Sequence, residues 1–339
     1  MAEGRFDNPV VAALAGVKDF FSKQPLADRL KPDDTFDGKT VLITGANSGL
    51  GFGIAVEAAR RGARVIMAGR SGMPEKGEEV KKRSESELVE MRYLDLSKIE
   101  TIYAFVDALK KDGVRPDVTI LNAGVALPFA RKTDSGIEEM FLVNYLSNVI
   151  LTNLMINEGL IPPDLPQDKN KPRIIFISSD SHQGSSAVDY NEFGVFESYG
   201  PSKGISNYSY FKLVLNTYAV ELSRRVNHDR VRIGIQVICP GPVHSEIIKE
   251  APGVLYYTLK GIFRLVFRSP AKAALPVIYM AVSEDYEGKT EEYLHMFRPK
   301  KMDEKCYDRK EGIRLWEESF KLWRSVDENA TMIHHGQAG

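Results

Sequence analysis

The chain has 339 residues, of which 43% are hydrophobic and 27% charged, and its 45 basic and 46 acidic side chains nearly cancel. This balance gives no reason to expect nucleic acid as a partner, and the length suits one large α/β domain or two smaller ones. The two cysteines, Cys239 and Cys306, are too few for a disulfide framework or a zinc site. We therefore expect two reduced thiols in a cytoplasmic protein that holds no metal.

The N-terminal 30 residues contain one apolar stretch, VVAALAGV at 10–17. It is far shorter than the roughly 18 residues of a membrane span, and it follows Glu3 and Asp7, so it does not resemble a signal peptide. Residues 8–30 instead predict an amphipathic helix. Its apolar face consists of Val10, Leu14, Val17 and Phe21. Such a helix docks on the protein's own core, on a partner subunit or peripherally on a membrane.

From residue 39 onward, short apolar runs alternate with stretches of helical periodicity. The predicted strands are 39–44, 64–69, 91–96, 117–124, 172–179 and 231–241. The predicted helices are 50–63, 75–90, 99–113, 136–156 and 207–226. This alternation indicates βαβ units and a parallel sheet covered by helices on both faces.

A glycine-rich turn, TGANSGLG at 44–51, leaves the first predicted strand and begins the first predicted helix. Gly45, Gly49 and Gly51 permit a tight turn and close approach of the backbone to phosphates, while the helix N-terminus offers free N–H groups to a pyrophosphate. The spacing is Gly-x3-Gly-x-Gly, which differs from the Gly-x-Gly-x-x-Gly fingerprint of many dinucleotide sites. The alternative is a tight turn that binds no ligand.

Glycines at this spacing resemble those of the short-chain dehydrogenase/reductase family, and further motifs follow in that family's order. These are NAG (122–124), Asn144 in VNYLSN, ISS (177–179), a Tyr-x3-Lys pair and PG (240–241). The resemblance covers roughly residues 37 to 300. Three further segments resemble the retinol-dehydrogenase-like branch of the family, namely SSDSHQG (178–184), GK (288–289) and RLWEESFKL (314–322).

The resemblance implies a single Rossmann-type, doubly wound α/β domain with about seven strands and helices on both faces of the sheet. We expect an N-terminal extension at 1–36 that is helical, and a dinucleotide-binding catalytic domain at 37–300. Within that domain, a segment at about 243–270 closes over the substrate in the family. A C-terminal helix and tail follow at 301–339. A homodimer or homotetramer is the expected assembly.

Two Tyr-x3-Lys pairs overlap in YGPSKGISNYSYFK, Tyr199 with Lys203 and Tyr208 with Lys212. At this spacing on a helix the ammonium can help the phenol to release its proton. Pro201 is unfavourable inside a helix, whereas no glycine or proline lies between Ile205 and Gly234. We therefore predict that Tyr208 and Lys212 form the functional pair, and that Tyr199 and Lys203 lie in the preceding loop. Phe211 departs from the family pattern, which usually has Ser before the Lys.

In the family, a tyrosine, a lysine, a serine and an asparagine act together, and here they match Tyr208, Lys212, Ser179 and Asn144. A tyrosine titrates near pH 10, and a nearby cation favours the phenolate, so Tyr208 would exchange a proton with the substrate oxygen. Ser179 would hydrogen-bond the same oxygen, and Asn144 would hold a relay water. The alternatives are that Ser179 merely caps the strand end, with Ser178 as its competitor, and that Asn144 is a buried group bonded to the backbone.

The cofactor choice depends on the end of the second strand, MAGRS at 67–71. A carboxylate there favours NAD(H), but this stretch has none and offers Arg70, so we predict NADP(H) over NAD(H). The alternative is that Arg70 is a solvated charge. The complete predicted cofactor-binding set is Gly45, Asn47, Ser48, Gly49, Leu50, Gly51, Arg70, Asp95, Leu96, Asn122, Ala123, Gly124, Tyr208, Lys212, Pro240, Gly241 and Val243.

The segment 251–270 is rich in large apolar side chains. Those recurring at helical spacing are Leu255, Tyr256, Leu259, Ile262, Phe263 and Val266. They predict a pocket for a small lipophilic substrate such as a retinoid, a steroid or a long-chain aldehyde, although packing on the core or on a second subunit explains them nearly as well. His182 and His244 are expected to be structural or solvated. A different class of function, a catalytically weak scaffold protein that binds nucleotide, also stays open.

Overall fold

The computed structural model describes residues 24–162, 171–241 and 269–333. Its centre is an eight-stranded sheet with the order β3-β2-β1-β4-β5-β6-β7-β8. The strands are β1 (Thr40–Thr44), β2 (Arg64–Gly69), β3 (Val89–Tyr93), β4 (Val118–Leu121), β5 (Arg173–Ile177), β6 (Gly234–Cys239), β7 (Glu292–His295) and β8 (Arg298–Lys300). Every pairing is parallel except that of β7 with β8. The predicted α/β doubly wound fold is confirmed, with one strand more than the expected seven.

Helices cover both faces of this sheet. They are α1 (Gly49–Arg60), α2 (Glu75–Ser84), α3 (Ile99–Lys111), α4 (Glu139–Asn157), α5 (Pro201–Val226), α6 (Pro270–Val282) and α7 (Arg309–Val326). The core on one face takes its helical side chains from α3, α4, α5 and α7, and the core on the other face takes them from α1, α2 and α6. Successive residues of β5 alternate between the two cores, with Phe176 in the first and Ile177 in the second. This alternation explains why the strand reads as a continuous apolar run.

Helix α4 is the one helix in the described ranges that is long and apolar enough to cross a membrane, yet 94% of its apolar window is buried inside the protein. Helix α7 packs on the neighbouring α5, and the Tyr145 hydroxyl of α4 hydrogen-bonds Ser319 of α7 at 2.5 Å. Residues Leu142–Leu146 of α4 form a π-helical turn that contains Asn144. Such turns are frequent at functional sites.

Helix α5 begins at Pro201, six residues before the predicted start at 207. The prediction failed because Pro201 occupies the first helical position, where its missing N–H and fixed φ cost nothing. Lys203 therefore lies in the first turn of α5 and not in a loop, and Tyr199 lies just before the helix. The predicted N-terminal helix face, Val243, His244 and the apolar residues between 254 and 267 lie outside the described residues.

Candidate active site

The glycine-rich turn brings the backbone of β1 close to that of α1. Gly45 and Gly49 have φ of +64° and +53°, in the left-handed region that glycine adopts freely. A Cβ on Gly51 would lie 2.3 Å from the Gly45 carbonyl oxygen, so only glycine fits there. Ser48, the N-cap residue, makes no side-chain capping bond, and Leu50 is buried. The result is a backbone cradle at a helix N-terminus, which suits the pyrophosphate of a dinucleotide.

The end of β4 is joined to this turn by hydrogen bonds. The Asn122 amide donates to the carbonyls of Thr44 and Gly45 at 2.9 and 3.2 Å. The Thr44 hydroxyl accepts from the backbone N–H groups of Asn122 and Ala123, both at 3.0 Å. A Cβ on Gly45 would lie 2.8 Å from the Ala123 Cα. The ends of β1 and β4 are thus hydrogen-bonded to each other, and the NAG motif directly follows β4, as the family resemblance implies.

The end of β2 carries the groups proposed for cofactor choice. Arg70 is half exposed and its guanidinium lies 3.8 Å from a carboxylate oxygen of Glu139 on α4. The Asn47 amide donates to the Ser71 hydroxyl at 3.0 Å. The structure therefore places Asn47 and Arg70 at the carboxyl end of β2, on the same side of the sheet as the glycine turn.

Two other predicted cofactor contacts follow β3. One carboxylate oxygen of Asp95 accepts from the Ser97 backbone N–H and hydroxyl at 3.0 and 2.7 Å, which leaves its second oxygen for other partners. Leu96 is buried, and its carbonyl accepts from Ser147 of α4 at 2.6 Å. At the end of β6, Pro240 is buried and Gly241 has a φ of +82°. These residues line the carboxyl edge of the sheet.

Tyr208 and Lys212 lie one turn apart on α5. The Lys212 ammonium is 5.6 Å from the centroid of the Tyr208 ring and donates to the Ile177 carbonyl at 2.8 Å. Burial lowers the pKa of Lys212 to about 8, and burial also raises the pKa of Tyr208 above its usual value. Lys212 is only 4% exposed, so water screens its charge weakly.

Asn144 lies beside this pair. A Cβ on Gly124 would lie 3.3 Å from the Asn144 amide oxygen and 3.9 Å from the Lys212 ammonium, so both side chains meet at the end of β4. The Asn144 amide oxygen accepts from the Val125 N–H, and its amide nitrogen donates to the Val125 carbonyl, both at 2.7 Å. The structure thus bonds the Asn144 amide to the backbone, as the alternative requires, and brings it to the same strand end as the Lys212 ammonium.

The two serines after β5 differ in exposure. Ser178 is buried, and its hydroxyl has no hydrogen-bond partner among the described residues. Ser179 is half-buried, and its hydroxyl accepts from the Ser181 N–H at 3.3 Å and from the Ser181 hydroxyl at 3.0 Å. It also caps the 3-10 turn Asp180–Gly184. Ser179 is therefore the serine with access to the open side of the site.

The two residues of the other tyrosine–lysine pair, Tyr199 and Lys203, bind different carboxylates. The Tyr199 hydroxyl donates to the buried carboxylate of Glu138 at 2.8 Å. Lys203 is 45% exposed and pairs with Glu197. Both line a cavity of about 290 Å³, together with residues of α4 and of the loop before α5. The Lys203 charge is solvated, whereas that of Lys212 is not, and the electrostatic argument for an activated phenol applies to Tyr208.

A buried polar cluster beside Ser179 was not predicted from the sequence. It comprises Asp180, His182, Tyr293, His295 and Lys300, all shielded from solvent in their side chains. The motif SSDSHQG signals its first two members, and the expectation that His182 is structural agrees with its complete burial. The partners from β7 and β8 lie more than 100 residues away, where no local pattern identifies them.

These features together define a nicotinamide-dependent oxidoreductase of the Rossmann type, and comparisons identify the family. A family model described as short chain dehydrogenase matches residues 39–252. The chain belongs to the short-chain dehydrogenase/reductase family, in its retinol-dehydrogenase-like branch.

Named relatives support the branch. The chain is 32% identical to human retinol dehydrogenase 13 over 296 residues, which covers 85% of each protein. It is 28% identical to human polyprenol dehydrogenase, covering 85% of this chain and 86% of the relative. Among solved structures, an uncharacterized protein from Mycobacterium paratuberculosis superposes with a TM-score of 0.63 at 26% identity, over 85% of this chain and 94% of that one.

Proposed function

We propose that this protein is an NADP(H)-dependent oxidoreductase that transfers a hydride between the nicotinamide and a lipophilic alcohol or its carbonyl partner. The observation that carries the proposal is the buried Lys212 ammonium, held on the Ile177 carbonyl one helical turn from Tyr208. A buried cation at this distance favours ionisation of the phenol, which its own burial opposes. Within the family, this arrangement serves proton exchange at a substrate oxygen.

In this proposal each residue of the site has a separate role in the reaction. When bound, the nicotinamide supplies or accepts the hydride. Tyr208 exchanges a proton with the substrate oxygen, and Lys212 remains mostly charged at neutral pH because its pKa is about 8. Ser179 donates a hydrogen bond to the same oxygen and stabilises negative charge that develops there.

Asn144 is proposed to hold the segment after β4 against Lys212. Its amide is engaged at both atoms with Val125, so a relay water, which the family resemblance implies, has only the remaining amide hydrogen and oxygen lone pair to use.

The preference for NADP(H) is proposed from Arg70. The stretch 67–71 at the end of β2 contains no carboxylate, and the half-exposed guanidinium of Arg70 is a bidentate donor suited to a 2′-phosphate. Glu139 lies 3.8 Å away and is itself paired with Arg131 at 2.8 Å. It therefore leaves Arg70 donors that can meet a phosphate.

The substrate is proposed to be lipophilic, of retinoid, steroid or long-chain aldehyde type. The relatives' names refer to retinol and polyprenol, and the segment 254–267 carries ten large apolar side chains and two charged ones. Each methylene that enters an apolar pocket is worth about 0.8 kcal/mol. We propose in addition that the protein is cytoplasmic. We also propose that it forms a homodimer or homotetramer, and light scattering on the purified protein would measure this assembly state.

A chain-length series of primary alcohols and aldehydes, assayed with NADP(H) and NAD(H), tests the proposal. We expect kcat/KM to rise with each added methylene until the pocket is full, and to be greater with NADP(H). A flat series, or better turnover of a polyol, would contradict a lipophilic substrate. NADPH fluorescence in the same samples measures nucleotide binding. The scaffold alternative predicts that the protein binds nucleotide but turns over no member of the series.

A further inference from the structure

The ring of His182 lies between Ser179 and the C-terminal part of the chain. Its Nδ1 is 2.7 Å from the Ser179 carbonyl oxygen, and its Nε2 is 3.2 Å from the backbone nitrogen of Asp303. The backbone N–H of His182 also donates to the Ser179 carbonyl, at 3.2 Å. Since Nε2 accepts from an N–H, the proton of the neutral ring must lie on Nδ1 and point to the Ser179 carbonyl. Burial, which lowers the pKa of His182, favours this neutral form.

The neighbouring Asp180 fixes the same turn from its other side. One of its carboxylate oxygens accepts from the Tyr293 hydroxyl at 3.1 Å and from the Gln183 amide at 3.0 Å. The other accepts from the Lys300 ammonium at 2.7 Å. Tyr293 lies on β7 and Lys300 on β8, so a charged and almost completely buried contact joins the turn after β5 to the last hairpin of the sheet. Buried ion pairs that are fully hydrogen-bonded restrict local conformation.

We infer that His182 is a positioning residue for Ser179: its Nδ1–H fixes the Ser179 carbonyl and thereby aims the Ser179 hydroxyl at the substrate oxygen. Asp180 and Lys300 hold the same turn on the β7–β8 hairpin. The inference rests on the proposed function, in which Ser179 contacts the substrate. It also gives the segment from Arg298 to Asp303 a part in organising the site, since that segment supplies both Lys300 and the Asp303 N–H.

The two hydrogen bonds of the ring can be separated by substitution. In His182→Asn the side-chain amide reaches the position of Nδ1 and can donate to Ser179, but it loses the contact with Asp303. In His182→Gln the longer amide reaches the position of Nε2 and can accept from Asp303, but it loses the bond to Ser179. Each variant thus keeps one anchor, and Ser179→Ala serves as the reference for loss of the hydroxyl itself.

The variants are compared by kcat, KM for NADPH and melting temperature, with the best alcohol or aldehyde of the chain-length series as substrate. We expect His182→Asn to keep kcat within about threefold, and His182→Gln to lower kcat on the order of tenfold, the rate equivalent of one misaligned hydrogen bond, with KM for NADPH unchanged. Equal kcat losses that follow the melting temperature, or a loss confined to His182→Asn, would overturn the inference.

A result that contradicts the proposed function can be told apart from one that contradicts only the positioning role of His182. If Ser179→Ala keeps full kcat, Ser179 has no catalytic part, and the mechanism itself falls. If neither histidine variant folds, Lys300→Met tests the same turn through Asp180. A fall in kcat at constant KM for NADPH supports positioning, and an unchanged kcat refutes it.

Discussion

The Lys212 ammonium lies 5.6 Å from the centre of the Tyr208 ring and is anchored on the Ile177 carbonyl. Ile177 is the last residue of β5 and lies two residues before Ser179 in the chain, so the strand end that leads to the serine also fixes the lysine. Helix α5 sets the spacing of the tyrosine and lysine, and β5 supplies the carbonyl that accepts from the ammonium.

Tyr208→Phe should abolish turnover, whereas Tyr199→Phe should keep most of it. Removal of a general acid–base group typically costs 10²–10⁴-fold in rate, and only Tyr208 has a buried lysine beside it. Tyr199 instead donates to Glu138, so its loss should appear in the melting temperature. The measurement is kcat/KM for both variants with one substrate, and the reverse pattern would overturn the assignment.

Arg70→Asp should shift the preference from NADPH toward NADH. The introduced carboxylate repels a 2′-phosphate and can accept from ribose hydroxyls, so the ratio of the two kcat/KM values should move on the order of tenfold or more. The control is Arg115→Asp, an exposed arginine just before β4, at the opposite edge of the sheet. If both variants leave the ratio unchanged, Arg70 is a solvated charge.

Gly51→Ala should lose cofactor affinity on the order of 100-fold. Its Cβ would lie 2.3 Å from the Gly45 carbonyl and 2.5 Å from the Asn122 amide, so the turn must deform to admit it. Gly200→Ala is the matched control, because a Cβ there meets nothing within 4 Å. NADPH fluorescence titration of both variants provides the test, and wild-type affinity in Gly51→Ala would show that the turn does not hold the cofactor.

The order of β1 to β6 and of α1 to α5 was predictable because alternating apolar runs and amphipathic helices are local features of the chain, whereas α6, β7 and β8 were not placed from the sequence. The glycine turn and the end of β4 were predictable for the same reason, since short motifs specify them. The first turn of α5 was misjudged because the cost of Pro201 depends on its position in the helix, which a pattern does not show. The contact of Asp180 with Lys300 joins residues 120 apart, and only tertiary structure brings them together.

Phe211→Ser restores the residue usual in the family but should destabilise the protein. The Phe211 ring is buried and packs edge-on against Phe141, with ring centres 5.4 Å apart. Truncation of a buried phenylalanine costs about 3–5 kcal/mol. Tyr93→Ser, on a half-exposed side chain of β3, should cost about 1 kcal/mol or less. Urea unfolding of both variants measures the difference, and equal midpoints would show that Phe211 contributes little to packing.

Lys212→Met should be more stable than the wild type near neutral pH, and its advantage should shrink as the pH rises. Burial lowers the pKa of Lys212 from 10.5 to about 8. Between these two values the unfolded chain binds more protons than the folded one, so the wild-type free energy of unfolding rises with pH in this window. From pH 7.5 to 9.5 the wild type should gain about 2 kcal/mol relative to Lys212→Met. Because the two proteins share all other titrating groups, the contributions of these groups to the free energy of unfolding cancel in the difference. Urea unfolding at both pH values measures it, and a difference that stays constant would show that the ammonium is not desolvated in the folded protein.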